Sequence, residues 1–350
     1  MRILLFLLLG ICSLKAQTPD PLLAVNYEAQ QEWVDSTYSS LTLDEKIGQL
    51  FMVMAFSEQG KEHFEAVSRN VTENKIGGVI FSLGGPLGQT DWLNRFQKKS
   101  KIPLLIGMDA EWGVAMRLDS VQAFPWNMTL GAIQDDKLVQ AVGYRIGEQA
   151  KRLGIHINFA PSVDINTNPK NPIIGNRSFG EDKENVARKG IAFMNGMHDA
   201  GVLSSAKHFP GHGDTATDSH LGLPSINFSS DRIDEVELYP FKKIIDAGIS
   251  SVMVAHLDIP ALDAGIPSSL SQKTVQVLLQ DSLKFKGLVI TDALNMKGAS
   301  GISPKYGIDV AAFLAGNDIL LIPNDVSTEI KKMKRAFKAK KFTEERLALS

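Results

Sequence analysis

Short apolar runs rich in β-branched residues recur along the chain at a steady interval. They lie at 49–56, 76–82, 103–109, 155–165, 202–209, 250–256, 287–294 and 318–323. Most are near-continuously apolar, the pattern of strands buried on both faces of a parallel sheet. Between them lie amphipathic stretches such as DDKLVQAVGYRIGEQAKRLG (135–154) and KENVARKGIAFMNGMHDAG (183–201), each closing on a glycine as helices often do. Eight such units in one chain predict an α/β protein built as a single (β/α)8 barrel of the TIM type. A doubly wound sheet would show fewer strands and a glycine-rich phosphate turn after the first, and no G-x-G-x-x-G follows any early run.

The first residues break this pattern. Met1–Arg2, the apolar run ILLFLLLGICSL, Lys15 and Ala16 read as a secretory leader, with cleavage expected after Ala16. The run is short of the roughly 20 apolar residues that a membrane span needs, and QTPDP follows it with nothing to pack. The expected organisation is a leader over 1–16, a lead-in helix over 17–40 and the barrel over 41–350. Cys12 is the one cysteine, and bulky Ile11 before it disfavours lipid attachment. The exported chain would therefore rely on core burial without disulfides. A net charge of −2 with mixed signs gives no reason to expect nucleic acid or an anionic membrane as partner.

Five polar positions stand at or just past the ends of different strands: Asp109, Asp164, Lys207–His208, His256 and Asp292. A barrel builds its active site at this C-terminal rim, so together they predict a converging polar site. Asp292 alone could be either the cap of the following helix or a carboxylate held in the barrel mouth. The loop AKHFPGHGDTATDSHLGLP (206–224) admits several chemistries. His208, His212, Asp214, Asp218 and His220 resemble metal ligands, but Pro210, Gly211 and Gly213 forbid the helix that His-x3-His spacing needs. The first strand, QLFMVMAF, offers no ligand either. The S-x-x-K match SSAK (204–207) lacks the S-D-N and K-T-G partners of a serine hydrolase. What remains is acid/base work: in Asp218-Ser219-His220 a carboxylate two residues away could fix the imidazole tautomer and raise its pKa from about 6.5.

Taken whole, KHFPGHGDTATDSHLGLP resembles the K-H-F-P-G-H-G-x4-D-S-H-x3-P signature of glycoside hydrolase family 3, in its single-domain β-N-acetylglucosaminidase branch. GMDAEWGVAMRL, GNRSFGED and VITDALNMKG are similar to further segments of that family in order and spacing, from about Leu41 to Pro323. The resemblance implies Asp292 as nucleophile and His220 as general acid/base, with Asp218 orienting it. It further implies that Lys207, His208, Asp109, Arg117 and Arg177 hold the hydroxyls of a terminal GlcNAc unit, with His256 lining the pocket. Retention through a covalent glycosyl-enzyme is then expected. A neutral imidazole in place of a second carboxylate would not repel an anion near the leaving group. His212 and Asp214 are left as loop-shaping hydrogen bonders.

The chain departs from the family's D-Q-E-G-G-R-V-x-R segment at Ala110, Trp112 and Val114, which bears on the leaving-group side. Its end, FTEERLALS, is either short or the front part of a longer protein. The expected function is an exported, monomeric, cofactor-free and metal-independent exo-β-N-acetylglucosaminidase acting on peptidoglycan-derived saccharides. The expectation of GlcNAc rests on the Asp-Ser-His loop within the barrel, since the family members acting on other sugars tend to take a glutamate acid/base from a second domain. A phosphorylase using phosphate as acceptor and a non-catalytic saccharide-binding barrel are the rivals.

Overall fold

The structure, a computed structural model, describes residues 20–216, 222–300 and 302–350. The expected leader with Cys12, and the pair Asp218 and His220, lie outside the described residues. Eight strands follow in order: β1 (Phe51–Ala55), β2 (Gly78–Phe81), β3 (Leu105–Met108), β4 (Ile157–Asn158), β5 (Leu203–Phe209), β6 (Ser251–Val254), β7 (Leu288–Thr291) and β8 (Leu320–Leu321). Every neighbouring pair is parallel, β1 pairs with β8, and a bridge between Ile290 and Ile319 joins β7 to β8. The ring closes as the (β/α)8 barrel that the periodicity predicts.

The side chains divide into two layers. Met52, Ile80, Ile157, Phe159, Met253, Ile290 and Leu321 pack against one another inside the ring. Phe51, Val53, Ala55, Val79, Phe81 and Ile106 face outward into the larger core under the helices. Strand alternation produces this division, because successive side chains point to opposite faces. The segments at 135–154 and 183–201 form the helices Asp136–Arg152 and Lys183–Asp199, each capped by an aspartate whose carboxylate accepts from a first-turn N–H.

One strand differs from expectation. The run at 155–165 contributes only Ile157–Asn158 to a regular ladder. Pro161 has no N–H to donate, so the ladder cannot continue through it. The chain still travels beside β5: Ser205 N–H donates to the Ala160 carbonyl, and Val163 N–H to the Lys207 carbonyl, both at 2.8 Å. That irregular passage brings Asp164 under the barrel mouth, beside His208.

Before the barrel, the helix Tyr27–Ser39 lies on the surface with no buried residue. Tyr38 Oη donates to Glu344 Oε1 at 2.8 Å, and the Lys46 ammonium stands 3.8 Å from the Tyr38 ring centre. Among the described residues no helix is long and apolar enough to cross a membrane.

Candidate active site

A cavity of about 640 Å³ opens at the C-terminal rim, within the usual range for a small-ligand pocket. Its polar wall is formed by Asp109, Arg117, Arg177, Lys207, His208 and Asp292, and its apolar floor includes Met54, Met253 and Leu321. Seven of the nine residues singled out from the sequence are described, and six of them meet here.

Lys207 and His208 both face the cavity, although neighbours on a regular strand point to opposite faces. The register between β5 and β6 shifts between Ala206 and Phe209, an irregularity of the kind that re-aims side chains beside active sites. From there a chain of alternating charges runs around the wall. Arg117 Nη2 donates to Asp109 Oδ2 at 2.7 Å, and Lys207 Nζ reaches Asp109 Oδ1 and Glu111 Oε1, each at 2.8 Å. Arg177 grips Glu111 through Nε at 3.0 Å and Nη2 at 2.7 Å. Arg177 Nη2 also lies 3.1 Å from His208 Nε2, which must accept because a guanidinium only donates. The proton of His208 is therefore on Nδ1, directed at Asp164 Oδ2 at 2.6 Å.

Burial alone would raise the carboxyls of Asp109 and Glu111. For Asp109 the Lys207 and Arg117 charges outweigh it, and for Glu111 the Arg177 and Lys207 charges do, so both are held below the usual carboxylate range. Asp164 is likewise held well below it, against burial, by His208 and by the peptide N–H of His212, which donates at 2.6 Å.

Asp292 follows β7 directly. Its N–H donates to the Val254 carbonyl at 2.9 Å, and its Oδ1 accepts from the Ala293 N–H at 2.8 Å. Burial opposes ionisation, but the Ala293 peptide N–H and the Lys207 ammonium are among the groups that lower its pKa. An ionised carboxylate facing a cavity ringed by cations can attack an electrophilic carbon or stabilise a developing positive charge.

His256 sits elsewhere than the sequence reading placed it. It does not line the cavity but is 0% exposed behind Asp292. Its Nε2 donates to the Ala293 carbonyl at 3.0 Å and its Nδ1 accepts from Ser269 Oγ at 2.6 Å. Burial lowers its pKa, so the imidazole is neutral and holds the peptide that follows Asp292. His212 also lines the cavity; its ring rests on Thr215 Oγ1 at 2.7 Å, and its Nε2 has no partner among the described residues. Burial above all pushes His212 down to about 4, which keeps it neutral at pH 7. Gly213 lets this loop pass close beneath the chain, since a Cβ there would meet the Ile165 carbonyl at 1.7 Å. Asp214 turns away, 3.7 Å from Arg232.

A family model described as the glycosyl hydrolase family 3 N terminal domain matches residues 42–350. The chain belongs to that family. The beta-hexosaminidase A of Pseudoalteromonas piscicida is 41% identical over 244 residues, covering 65% of this chain and 41% of that one. A solved family 3 beta-N-acetylglucosaminidase from Paenibacillus sp. str. FPU-7 superposes with a TM-score of 0.83 at 36% identity, over 88% of this chain and 60% of that one. A solved beta-glucoside phosphorylase gives 0.86 at 28% identity, over 92% and 59%. The chain thus spans between 41% and 60% of the length of these relatives.

Two carboxylates of the charged wall, Glu111 and Asp164, carry no role in the sequence reading. Glu111 lies inside the quoted GMDAEWGVAMRL segment, and Asp164 at a strand end, but a lone carboxylate does not announce its partners. Glu111 is buried between Lys207 and Arg177, whose positions come from two other barrel units. A clue was available: a glutamate two residues beyond Asp109, flanked by Ala110 and Trp112, has no solvated surface of its own to serve.

Proposed function

We propose that this chain is the catalytic barrel of a retaining exo-β-N-acetylglucosaminidase. The observation that carries the reading is the placement of Asp292, an ionised carboxylate at the end of β7 facing a sugar-sized cavity ringed by Lys207, Arg117, Arg177 and His208. The names of the beta-hexosaminidase and beta-N-acetylglucosaminidase relatives support the same chemistry. In the first step Asp292 attacks the anomeric carbon while His220, oriented by Asp218, delivers a proton to the departing oxygen. In the second, water gives its proton to His220 and displaces Asp292, releasing the sugar with retained configuration. Lys207, Asp109, Arg117, Arg177 and His208 hold the terminal sugar. The substrates are β-GlcNAc-terminated saccharides derived from peptidoglycan, met after export directed by the leader at 1–16.

The test is hydrolysis of an aryl β-GlcNAc by wild type, Asp292→Ala and His220→Ala. Asp292→Ala is expected to lose at least about a thousandfold in kcat. His220→Ala is expected to lose most on poor leaving groups and least on activated aryl glycosides, which need little protonation. Wild-type rates in Asp292→Ala would overturn the mechanism. Turnover that requires inorganic phosphate and releases a glycosyl phosphate would assign phosphorolysis instead.

A further inference from the structure

The rim loop after β3 carries an aromatic pair that the pocket itself does not use. The rings of Trp112 and Trp126 lie 4.0 Å apart between centroids and are tilted by 34°. Trp112 stands where the related family segment has a glycine, and it falls between two stretches that line the cavity, Asp109 and Met116–Arg117. Its neighbour Glu111 grips Arg177, and the residue after Trp126, Asn127, donates to the Arg177 carbonyl at 2.8 Å. Both tryptophans are therefore one residue from a group bound to the same wall arginine. Backbone contacts fix them as well: Phe124 N–H donates to the Trp112 carbonyl at 3.0 Å, and Thr129 and Leu130 N–H to that of Trp126 at 2.9 and 3.1 Å.

Two tryptophans that only packed a loop would be expected to bury each other. Trp126 instead remains 43% exposed with its other face braced by Trp112. A rigid indole face open to water, one residue from the Asn127 that holds the wall arginine, offers a surface on which a pyranose ring can lay its C–H face, with apolar area buried at little cost in side-chain entropy. Neither tryptophan lines the cavity that Asp292 faces, so a ring laid on Trp126 would lie beyond the one held there.

We infer that Trp126, braced by Trp112, is the platform for the second sugar ring of a β-linked saccharide, on the leaving-group side. This rests on the proposed glycosidase reading. It makes the chain select for two-ring substrates through a residue that the terminal sugar does not touch.

The experiment compares the β-1,4-linked GlcNAc disaccharide with methyl β-GlcNAc, which has no second ring. The ratio of kcat/KM between the two is expected to fall about tenfold in Trp126→Ala, mostly through KM on the disaccharide, and to recover in Trp126→Tyr. Trp112→Ala should give a smaller fall in the same direction, because it removes the brace and leaves the outer face. Thermal melting of each variant reports loss of fold, which would depress both substrates equally. Should wild type hydrolyse neither sugar, the glycosidase reading fails. The platform is then tested by calorimetric binding of the GlcNAc trisaccharide against GlcNAc, with the same loss of preference expected in Trp126→Ala. An unchanged preference in Trp126→Ala, equal losses on both ligands, or no saccharide binding by wild type overturns the inference.

Discussion

Glu111 shows how much of this site rests on residues that never meet the cavity. It is 0% exposed and carries a full negative charge between Lys207 and Arg177. Taking such a charge out of water is costly, and only its two cations make it tolerable; removing one partner of a buried pair leaves the others uncompensated. Glu111→Gln keeps the shape and removes the charge. It is expected to cost about 3–5 kcal/mol in urea unfolding at pH 7, and to raise KM for β-GlcNAc substrates as Lys207 and Arg177 lose their anchor. A variant with wild-type stability and KM would show that the two cations are held by Asp109 and His208 alone. At this scale the sequence was legible in part. The residues at strand ends could be marked, but whether a side chain such as His256 faces the cavity or the wall behind it depends on contacts with Ser269 and Ala293 from other segments.

The helices Asp136–Arg152 and Lys183–Asp199 were legible as elements, because periodicity and caps are local properties. How closely they lie was not. A Cβ at Gly196 would stand 2.0 Å from the Gln140 carbonyl oxygen, and one at Gly143 would stand 2.3 Å from that of Phe193. Two opposed effects therefore meet at Gly196. Alanine gains about 1 kcal/mol in helix propensity over glycine, but here it must push one backbone away from another. The contact is backbone to backbone and cannot yield by a rotamer change, so the clash should win. Gly196→Ala is expected to lower stability by about 1–3 kcal/mol, read as a lower melting temperature. A rise in melting temperature would mean that the helices stand further apart. The shortened β4 carries the same lesson in reverse: an apolar run predicts burial, while Pro161 decides where pairing stops.

Across the whole molecule, buried and part-buried carboxylates of two kinds set the response to pH. Asp109, Glu111, Asp164 and Asp292 have lowered folded-state values, so their contribution is present above the ordinary carboxylate range and is lost as pH falls below it through the lowered folded values. Asp309 is the opposite case. It is 3% exposed beside Glu329, itself 4% exposed with Lys332 at 2.7 Å. Burial, and then the Glu329 carboxylate, raise the Asp309 carboxyl. Its contribution is present below the unfolded carboxylate value and is lost as pH rises through the raised folded value. Melting temperature should therefore fall on both sides of a maximum, and Asp309→Asn should flatten the decline on the high-pH side while leaving the acid side in place. An unaltered high-pH limb in Asp309→Asn would show that the pair does not hold its proton. The sequence by itself determined the barrel class, the order of its strands and the rim as the place of chemistry, because burial pattern, caps and strand ends are written in short stretches of chain. Only the tertiary structure decided that Glu111 and Asp164 complete the charged wall, that His256 stands behind Asp292, and that Trp126 meets Trp112. Each of these depends on closing the ring, which brings residues from distant units within hydrogen-bond or ring-contact distance.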